Sequence, residues 1–248
     1  MADFKFPTEM VDLPSKGYFY FDGHPLSSGK VEVKYMTAKE EDILTSQNLI
    51  QQGVVIDKLL ESLIVDKSIK IDDMLIGDKN AIMVAARILG YGKDYKFTYD
   101  GKEHTIDLTK LEPVNIDFSK FTNGKNEFDY PLPNSKRTIT FKLLTGTDEN
   151  QIEKVLEARK KLSEDNVREL TTRLKAMITA VDGKREKTYI NNFIDNEFLS
   201  MDSLSFREYL SEVTPDIDMN TTIIDADGEE RVVGVPITLR FFWPSTGV

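Results

Sequence analysis

The sequence contains no cysteine, and its 248 residues include only two histidines and one tryptophan. Without cysteine the chain has no disulfide framework, no thiolate metal site and no cysteine nucleophile. The two histidines, His24 and His104, lack the spacing of a metal-binding pair or of a Ser/His/Asp set. Thiol chemistry is therefore excluded, histidine chemistry has no recognisable motif, and the absence of thiols fits synthesis in a reducing cytosol.

Basic clusters and long apolar runs are also missing. The formal net charge is -10, and acidic and basic residues are mixed along the chain without a cationic stretch for phosphate groups. No segment approaches the roughly eighteen consecutive apolar residues that a membrane-spanning helix needs, and the N-terminus lacks the pattern of a signal peptide. We therefore expect no direct nucleic-acid partner, no membrane partner and no secretion signal.

Hydrophobic periodicity predicts an α+β fold that is mainly helical. It predicts two pseudo-repeats, each with a strand, about three helices and a β-hairpin. We divide the chain into an extended N-terminal arm at 1–28, a first α+β half at 29–112, a connector at 113–137, and a second half at 138–248 that ends in a hairpin and tail. The alternative to a tandem duplication is a chance similarity between two common strand and helix orders.

The first half is predicted to begin with a half-buried strand, because apolar and polar residues alternate over 31–35. Thr37 and Glu40 follow with the spacing of a capping box, in which each side chain satisfies a free backbone donor at the start of a helix. This first helix is predicted to end near Gly53. Apolar residues at helical spacing over 55–64 then predict a second helix with one face on the core.

A third helix of the first half is predicted to begin at Asp78, a good N-cap residue, because the run that follows is apolar nearly all round. Arg87 is the one charged residue within 81–89. A buried guanidinium needs a partner, so we predict an internal ion pair with Asp78 or Asp73 rather than a substrate-binding role. The Asp-Gly pair at residues 100–101 predicts a primed hairpin turn.

The second half repeats this order. Alternation over 138–143 predicts a strand, and a helix is predicted from about Asp148 to Leu162. An apolar stripe from Val167 to Val181 predicts the next helix. Asp202 occupies the place of Asp78 and is predicted to cap a third helix, and a second hairpin is predicted around the Asp-Gly pair at 227–228.

Residues 1–28 are rich in proline and glycine, so they are not expected to form a regular helix. The aromatic residues at 18–21 give this segment a large apolar surface. We interpret it as an arm that reaches a neighbouring subunit. The alternative is an ordered coil that packs on its own domain.

Motifs for catalysis or cofactor binding are absent. Gly90-Tyr91-Gly92 ends a predicted helix, whereas a dinucleotide-binding loop precedes one. The segment from Asp216 starts like a calcium loop but has Thr221 where that loop needs glycine. We expect a non-enzymatic protein with no cofactor and no metal. A hydrolase or metal enzyme built from convergent carboxylates is a third, weaker hypothesis.

Several segments together resemble the baseplate hub subunits of T-even-type contractile-tailed phages, as found in cyanophages and their relatives. The resemblance covers both ends of the chain, and its most specific part is the Met-Thr-Ala-Lys-Glu-Glu stretch at 36–41. The segments are Leu13-Pro14-Ser15-Lys16-Gly17, Tyr35 to Leu44, Leu75-Ile76-Gly77-Asp78 with Arg87 and Tyr91-Gly92, and Phe241-Phe242-Trp243-Pro244.

The resemblance implies a structural subunit of the baseplate hub, made in the host cytoplasm and located in the tail baseplate of the virion. The alternative is a transient assembly factor that leaves before the particle is complete. Expected partners are other hub, wedge and tail proteins, with the tape-measure protein as a further partner of an assembly factor. The residues expected at interfaces are Leu13, Pro14, Lys16, Tyr18, Phe19, Tyr20, Phe241, Phe242 and Trp243, and those expected to be structural are Thr37, Glu40, Asp78, Arg87 and Asp202.

Overall fold

The protein, seen in a computed structural model, is described over residues 7–162, 168–225 and 228–242. Within these ranges it is an α+β fold of eight α-helices and small antiparallel sheets, which confirms the predicted class. None of the described helices has the length and apolar composition to cross a membrane. The helices are α1 Ala38–Thr45, α2 Gln47–Gln51, α3 Val55–Leu63, α4 Ile76–Tyr91, α5 Gly146–Leu162, α6 Glu169–Met177, α7 Lys187–Asn192 and α8 Ser200–Val213.

The strands form one three-stranded and three two-stranded sheets in the described ranges. Strand β1 pairs with β2, β3 with β4, β5 with β6 and then β7, and β8 with β9, all antiparallel. The strands are β1 Thr8–Asp12, β2 Lys30–Lys34, β3 Asp94–Tyr99, β4 Lys102–Asp107, β5 Phe128–Pro131, β6 Thr138–Phe141, β7 Ile178–Val181, β8 Asn220–Ile224 and β9 Glu230–Gly234.

Residues 7–28 pack against the rest of the chain. Strand β1 pairs with β2, and the side chains of Leu13, Phe19 and Leu26 are at most 3% exposed. These residues therefore pack on the chain itself, as in the self-packed alternative, and a contact of this segment with a neighbouring subunit stays a prediction. Burial of aromatic and aliphatic side chains in the chain's own core is the physical reason. The boundaries of the four predicted segments stay predictions.

The predicted local signals of the first half are present. Thr37 and Glu40 form a capping box at the start of α1. Asp100 and Gly101 both have positive φ, as a type I′ turn between β3 and β4 requires. The helix predicted to continue to Gly53 is instead divided into α1 and α2, because Ser46 has extended backbone dihedrals.

One prediction for the second half is wrong. The stripe from Val167 to Val181 was predicted as one helix, but α6 ends at Met177 and Ile178–Val181 form strand β7. Ile178 and Val181 are buried where β7 pairs with β6, so tertiary pairing overrides the helical spacing of these residues. Val167, Asp227 and the tail from Trp243 onward lie outside the described residues.

The two halves meet where α4 begins. The Ile76 amide donates to the Leu144 carbonyl (3.2 Å), and the Gly146 amide donates to the Met74 carbonyl (2.9 Å). Beside this short antiparallel pairing, the Asn80 amide group donates to the Asp216 carboxylate. A Cβ on Gly77 would lie 1.8 Å from the Pro215 carbonyl oxygen, so the two backbones approach as closely as glycine allows.

Gly77→Ala is therefore expected to destabilise the protein, because the new methyl group forces the two halves apart. Overpacking of this kind costs about 1 to 3 kcal/mol, and we expect the upper end because the obstacle is backbone. Gly234→Ala is the matched control, since a Cβ there meets nothing within 4 Å and the backbone is extended. Urea unfolding of both variants gives the comparison, and equal stability of the two would contradict the close approach.

Candidate protein-binding site

The Leu-Pro-Ser-Lys-Gly segment forms a tight turn at residues 13–17, here named the Asp78 turn. Lys16 and Gly17 both have positive φ, and a Cβ on Gly17 would lie 2.4 Å from the Ser27 carbonyl oxygen. The Leu13 amide donates to the Gly29 carbonyl (2.8 Å), which closes the turn onto the start of β2. Glycine is therefore required at position 17 for both its conformation and its size.

A groove of about 610 Å³ runs beside this turn and is named the N-terminal groove. It is lined by Leu13, Pro14 and Lys16 together with residues 113–116 and Phe118 of the predicted connector. The Lys16 ammonium lies 5.3 Å from the centre of the Phe118 ring, a cation–π contact. The groove thus brings three of the predicted interface residues together, although Leu13 and Pro14 are themselves buried.

Asp78 fastens this turn to α4. Its carboxylate accepts hydrogen bonds from the Ser15 amide (2.9 Å), the Ser15 hydroxyl (2.6 Å) and the Tyr20 hydroxyl (2.7 Å). The predicted capping role is wrong, because Leu75 is the N-cap of α4 and Asp78 lies three residues into the helix. The carboxylate instead binds a turn 63 residues earlier in the chain.

Burial dominates the electrostatics of this carboxylate. Asp78 has no exposed surface, and desolvation raises its pKa above the ordinary aspartate value despite the hydrogen bonds from Ser15 and Tyr20. Desolvation, with the nearby Asp78 charge, also raises the pKa of the Tyr20 hydroxyl, so Tyr20 remains a donor. The arrangement is a closed polar network in which each donor has an acceptor.

Asp202 holds a second turn in the same way. The segment Leu-Pro-Asn-Ser-Lys at residues 132–136, here named the Asp202 turn, donates the Asn134 amide (2.7 Å) and the Ser135 amide (3.0 Å) to this carboxylate. Burial opposes ionisation, but the hydrogen bonds from Asn134 and Ser135 outweigh it and lower the pKa of Asp202. Asp202 is also not the N-cap of its helix, because Leu199 is.

Most of the other predicted interface residues lie in the core. Phe19 contacts the rings of Phe118, Phe121 and Phe128, at centroid distances of 5.4 to 5.9 Å. Tyr18 is partly buried, and its hydroxyl donates to the Phe121 carbonyl. At the other end of the chain Phe241 and Phe242 have no exposed surface. A role of these residues at an interface stays a prediction, and Trp243 lies outside the described residues.

Glu40 is the centre of a second buried network. Its carboxylate accepts hydrogen bonds from the Lys34 ammonium (2.8 Å), the Ser62 hydroxyl (2.7 Å) and the amide and hydroxyl of Thr37 (3.0 and 2.6 Å). Burial alone would raise the pKa of Glu40, but these hydrogen bonds outweigh it and lower the pKa to about 2. The network ties β2, α1 and α3 together.

The ion pair predicted for Arg87 is wrong. Its guanidinium donates to the carbonyl oxygens of Gly92 (2.8 Å) and Asp94 (3.2 Å), and no carboxylate pairs with it among the described residues. Burial lowers the pKa of Arg87. The ring centres of Tyr91 and Tyr95 lie 5.5 and 5.9 Å from the guanidinium carbon. Arg87 therefore stabilises the connection between α4 and β3.

These buried networks join distant segments of the chain to one another. Across residues 7–162, 168–225 and 228–242, no group of three His, Asp or Glu side chains is arranged to hold a metal ion.

Sequence reasoning missed Ser15 and Ser135 as the partners of the two aspartates. The repeated Leu-Pro pair followed by Ser-Lys, at residues 13–16 and again at 132–136, was the signal that could have revealed them.

Residues 8–243 match a protein-family model described as T4 bacteriophage base plate protein. The match extends over nearly the whole chain and includes the Asp78 turn, the Asp202 turn and both buried networks. No curated protein matches the sequence, and no solved structure matches the fold.

Removing the carboxylate of Asp78 is expected to release the N-terminal segment. In Asp78→Ala the Ser15 and Tyr20 donors stay buried without an acceptor, and we expect a loss of about 3 kcal/mol in the free energy of unfolding. Asp117→Ala is the control, because Asp117 accepts similar hydrogen bonds from Ser119 at an exposed site. Urea unfolding and limited proteolysis near residue 20 measure both effects, and a loss no larger than that of the control would contradict the proposed fastening.

The Glu40 network is expected to make stability depend on pH. Because the folded-state pKa, about 2, lies below the ordinary value of 4.5, the stabilisation by Glu40 is complete above about pH 4.5 and is lost as the pH falls toward 2. The advantage of the wild type over Glu40→Gln should therefore shrink across this range. Glu153→Gln, on the exposed side of α5, controls for net charge. A difference that does not change with pH would contradict the account.

Proposed function

The chain belongs to the T4 bacteriophage base plate protein family, and from this we propose that it is a structural subunit of the baseplate hub. The observation that carries the proposal is the family match over residues 8–243. In this role the protein holds other baseplate and tail proteins together by protein–protein contacts in the virion tail. We propose no catalytic role and no cofactor.

The construction of the molecule supports a mechanical role. Buried carboxylates fasten turns to helices at Asp78 and Asp202, and a third, Glu40, joins a strand to two helices. Such networks resist deformation because breaking any one hydrogen bond leaves a buried polar group unsatisfied. A subunit that transmits force between neighbours benefits from this rigidity. The N-terminal groove and the exposed apolar residues of the second half supply surfaces for neighbours.

We further propose that the chain consists of two copies of one structural unit. Both units have an edge strand, a Leu-Pro turn with a positive-φ lysine, a second strand and a capped helix in the same order. Lys34 pairs with Glu40 in the first unit, and Lys142 pairs with Asp148 in the second. Helices α4 and α8 follow, each with the turn-binding aspartate at the same position, and a hairpin comes after each.

This correspondence suggests earlier unit boundaries than the sequence analysis did. The first unit begins with β1, inside the predicted arm, and the second begins with β5, inside the predicted connector. Both segments contribute the turn that the aspartate of their own unit binds. The arm and the connector are thus equivalent parts of the two proposed copies.

The second candidate is a transient assembly factor, which has the same family membership and the same fold. Quantitative mass spectrometry of purified intact tails separates the two roles. The proposal predicts this chain in a fixed ratio to the known hub components. Its absence from tails, together with its presence in the infected-cell lysate, would contradict the structural role and establish the assembly factor.

A further inference from the structure

The start of α8 exposes three large apolar side chains. Leu199 is 49% exposed, Met201 59% and Leu204 41%, and together they are named the α8 patch. Leu199 is the N-cap residue directly before the helix, and Met201 and Leu204 are three residues apart, so these two side chains are neighbours on one face of its first turns. An apolar cluster of this kind at the surface is typical of a protein-binding site.

The first half shows what covers the same positions in α4. The N-cap residues Leu75 and Leu199 have nearly identical dihedrals, with φ of -61° in both and ψ of 144° and 142°. The turn-binding aspartate follows three residues later in each helix. By this alignment Leu199 corresponds to Leu75, Met201 to Gly77 and Leu204 to Asn80. Leu75, however, is only 3% exposed.

The cover on α4 is an extended segment of the second half. Thr145 forms an antiparallel bridge with Leu75, and the Leu144 carbonyl and Gly146 amide bond to the backbone on either side of it. The segment therefore satisfies the first free amide of α4, at Ile76, while burying the apolar N-cap side chain. One docked strand performs both functions.

At α8 the same groups are not covered. Ser200 is the equivalent of Ile76 and Phe198 of Met74, yet in the described part of the chain neither the Ser200 amide nor the Phe198 carbonyl bonds to another segment's backbone. The α8 patch thus combines exposed apolar side chains with the two backbone groups that the docked strand uses on α4. Both features identify a vacant strand-docking position.

A second copy of this chain does not fit the vacant position. By the repeat alignment its covering segment would present Ala38 in place of Gly146, yet a Cβ on Gly146 would lie 2.7 Å from the Ile71 carbonyl oxygen. Met201 replaces Gly77, whose Cβ position on α4 is filled by the Pro215 backbone, so the surfaces of the two helices differ at this point. The occupant must therefore differ from the segment that covers α4 and must accommodate the Met201 side chain.

We propose that the α8 patch binds an extended, apolar segment of a different baseplate or tail protein. The segment pairs antiparallel with residues 198–200 through its backbone and covers the three apolar side chains with its own. Met201, unbranched and flexible, adapts to the partner's surface. The proposal rests on the proposed function in one respect, namely that the partner is another protein of the tail.

Site-specific photo-crosslinking tests the proposal on the full chain. Met201 is replaced by p-benzoylphenylalanine, the variant is supplied to cells infected with a phage that lacks its own copy, and adducts are mapped by peptide mass spectrometry. Tyr99, 37% exposed at the tip of the first hairpin, carries the same crosslinker as the control. We expect position 201 to give an adduct with one segment of another tail protein, and the control not to label that segment.

A companion variant links the adduct to the patch. Leu204→Asp, combined with the crosslinker at 201, should reduce the adduct about tenfold, as the loss of one central apolar contact does, without lowering the thermal stability of the isolated chain. An unreduced adduct would contradict the proposal. So would adducts with another copy of this chain.

Failure of this inference is distinguishable from failure of the proposed function. If the chain is present in tails but position 201 gives no adduct, the docking proposal is overturned and the structural role stands. If the adduct forms in infected cells but the chain is absent from purified tails, the docking site stands and the protein is an assembly factor.

Discussion

The interaction on which the rest of the structure depends is a buried aspartate, three residues into a helix, that accepts the donors of a distant turn. A buried carboxylate is stable only when its oxygens are satisfied, and here the chain supplies amides and hydroxyls rather than a cation. Asp78 thereby positions β1, β2 and the aromatic residues beside the N-terminal groove. Asp202 does the same for β5 and β6.

The two proposed units combine asymmetrically. The segment that leads into α5 docks on the start of α4. Gly146 allows this segment to pass close to the Ile71 carbonyl, and Gly77 allows the Pro215 backbone to approach α4. The second unit has no internal segment of this kind for α8 among the described residues. One unit is thus covered by a segment of the same chain, while the corresponding surface of the other unit is exposed. This difference between the two units suits a subunit that connects unlike neighbours. Family membership places those neighbours in a phage baseplate.

Local signals were predictable from the sequence because their physics is local. The capping box at Thr37 and the positive-φ turn at residues 100–101 depend on neighbours a few residues away, and both are confirmed. Partners distant in the chain were not predictable. Aspartate is a common N-cap residue, and only the fold shows that Asp78 binds Ser15 instead. Arg87 bonds to backbone carbonyl groups, which every residue has and which the sequence therefore does not single out. Strand β7 was predicted as helix because its pairing with β6 is tertiary.

Amide hydrogen exchange tests the central claim most directly. The Ser15 and Ser135 amides lie in tight turns, where amides ordinarily exchange by local fluctuation, yet each donates to a buried aspartate. The account predicts that both amides exchange only as slowly as the core amides of α4 and α8, through global unfolding. Exchange of either amide at the rate of an exposed turn, such as that of Ser119, would show that the aspartates do not hold the turns.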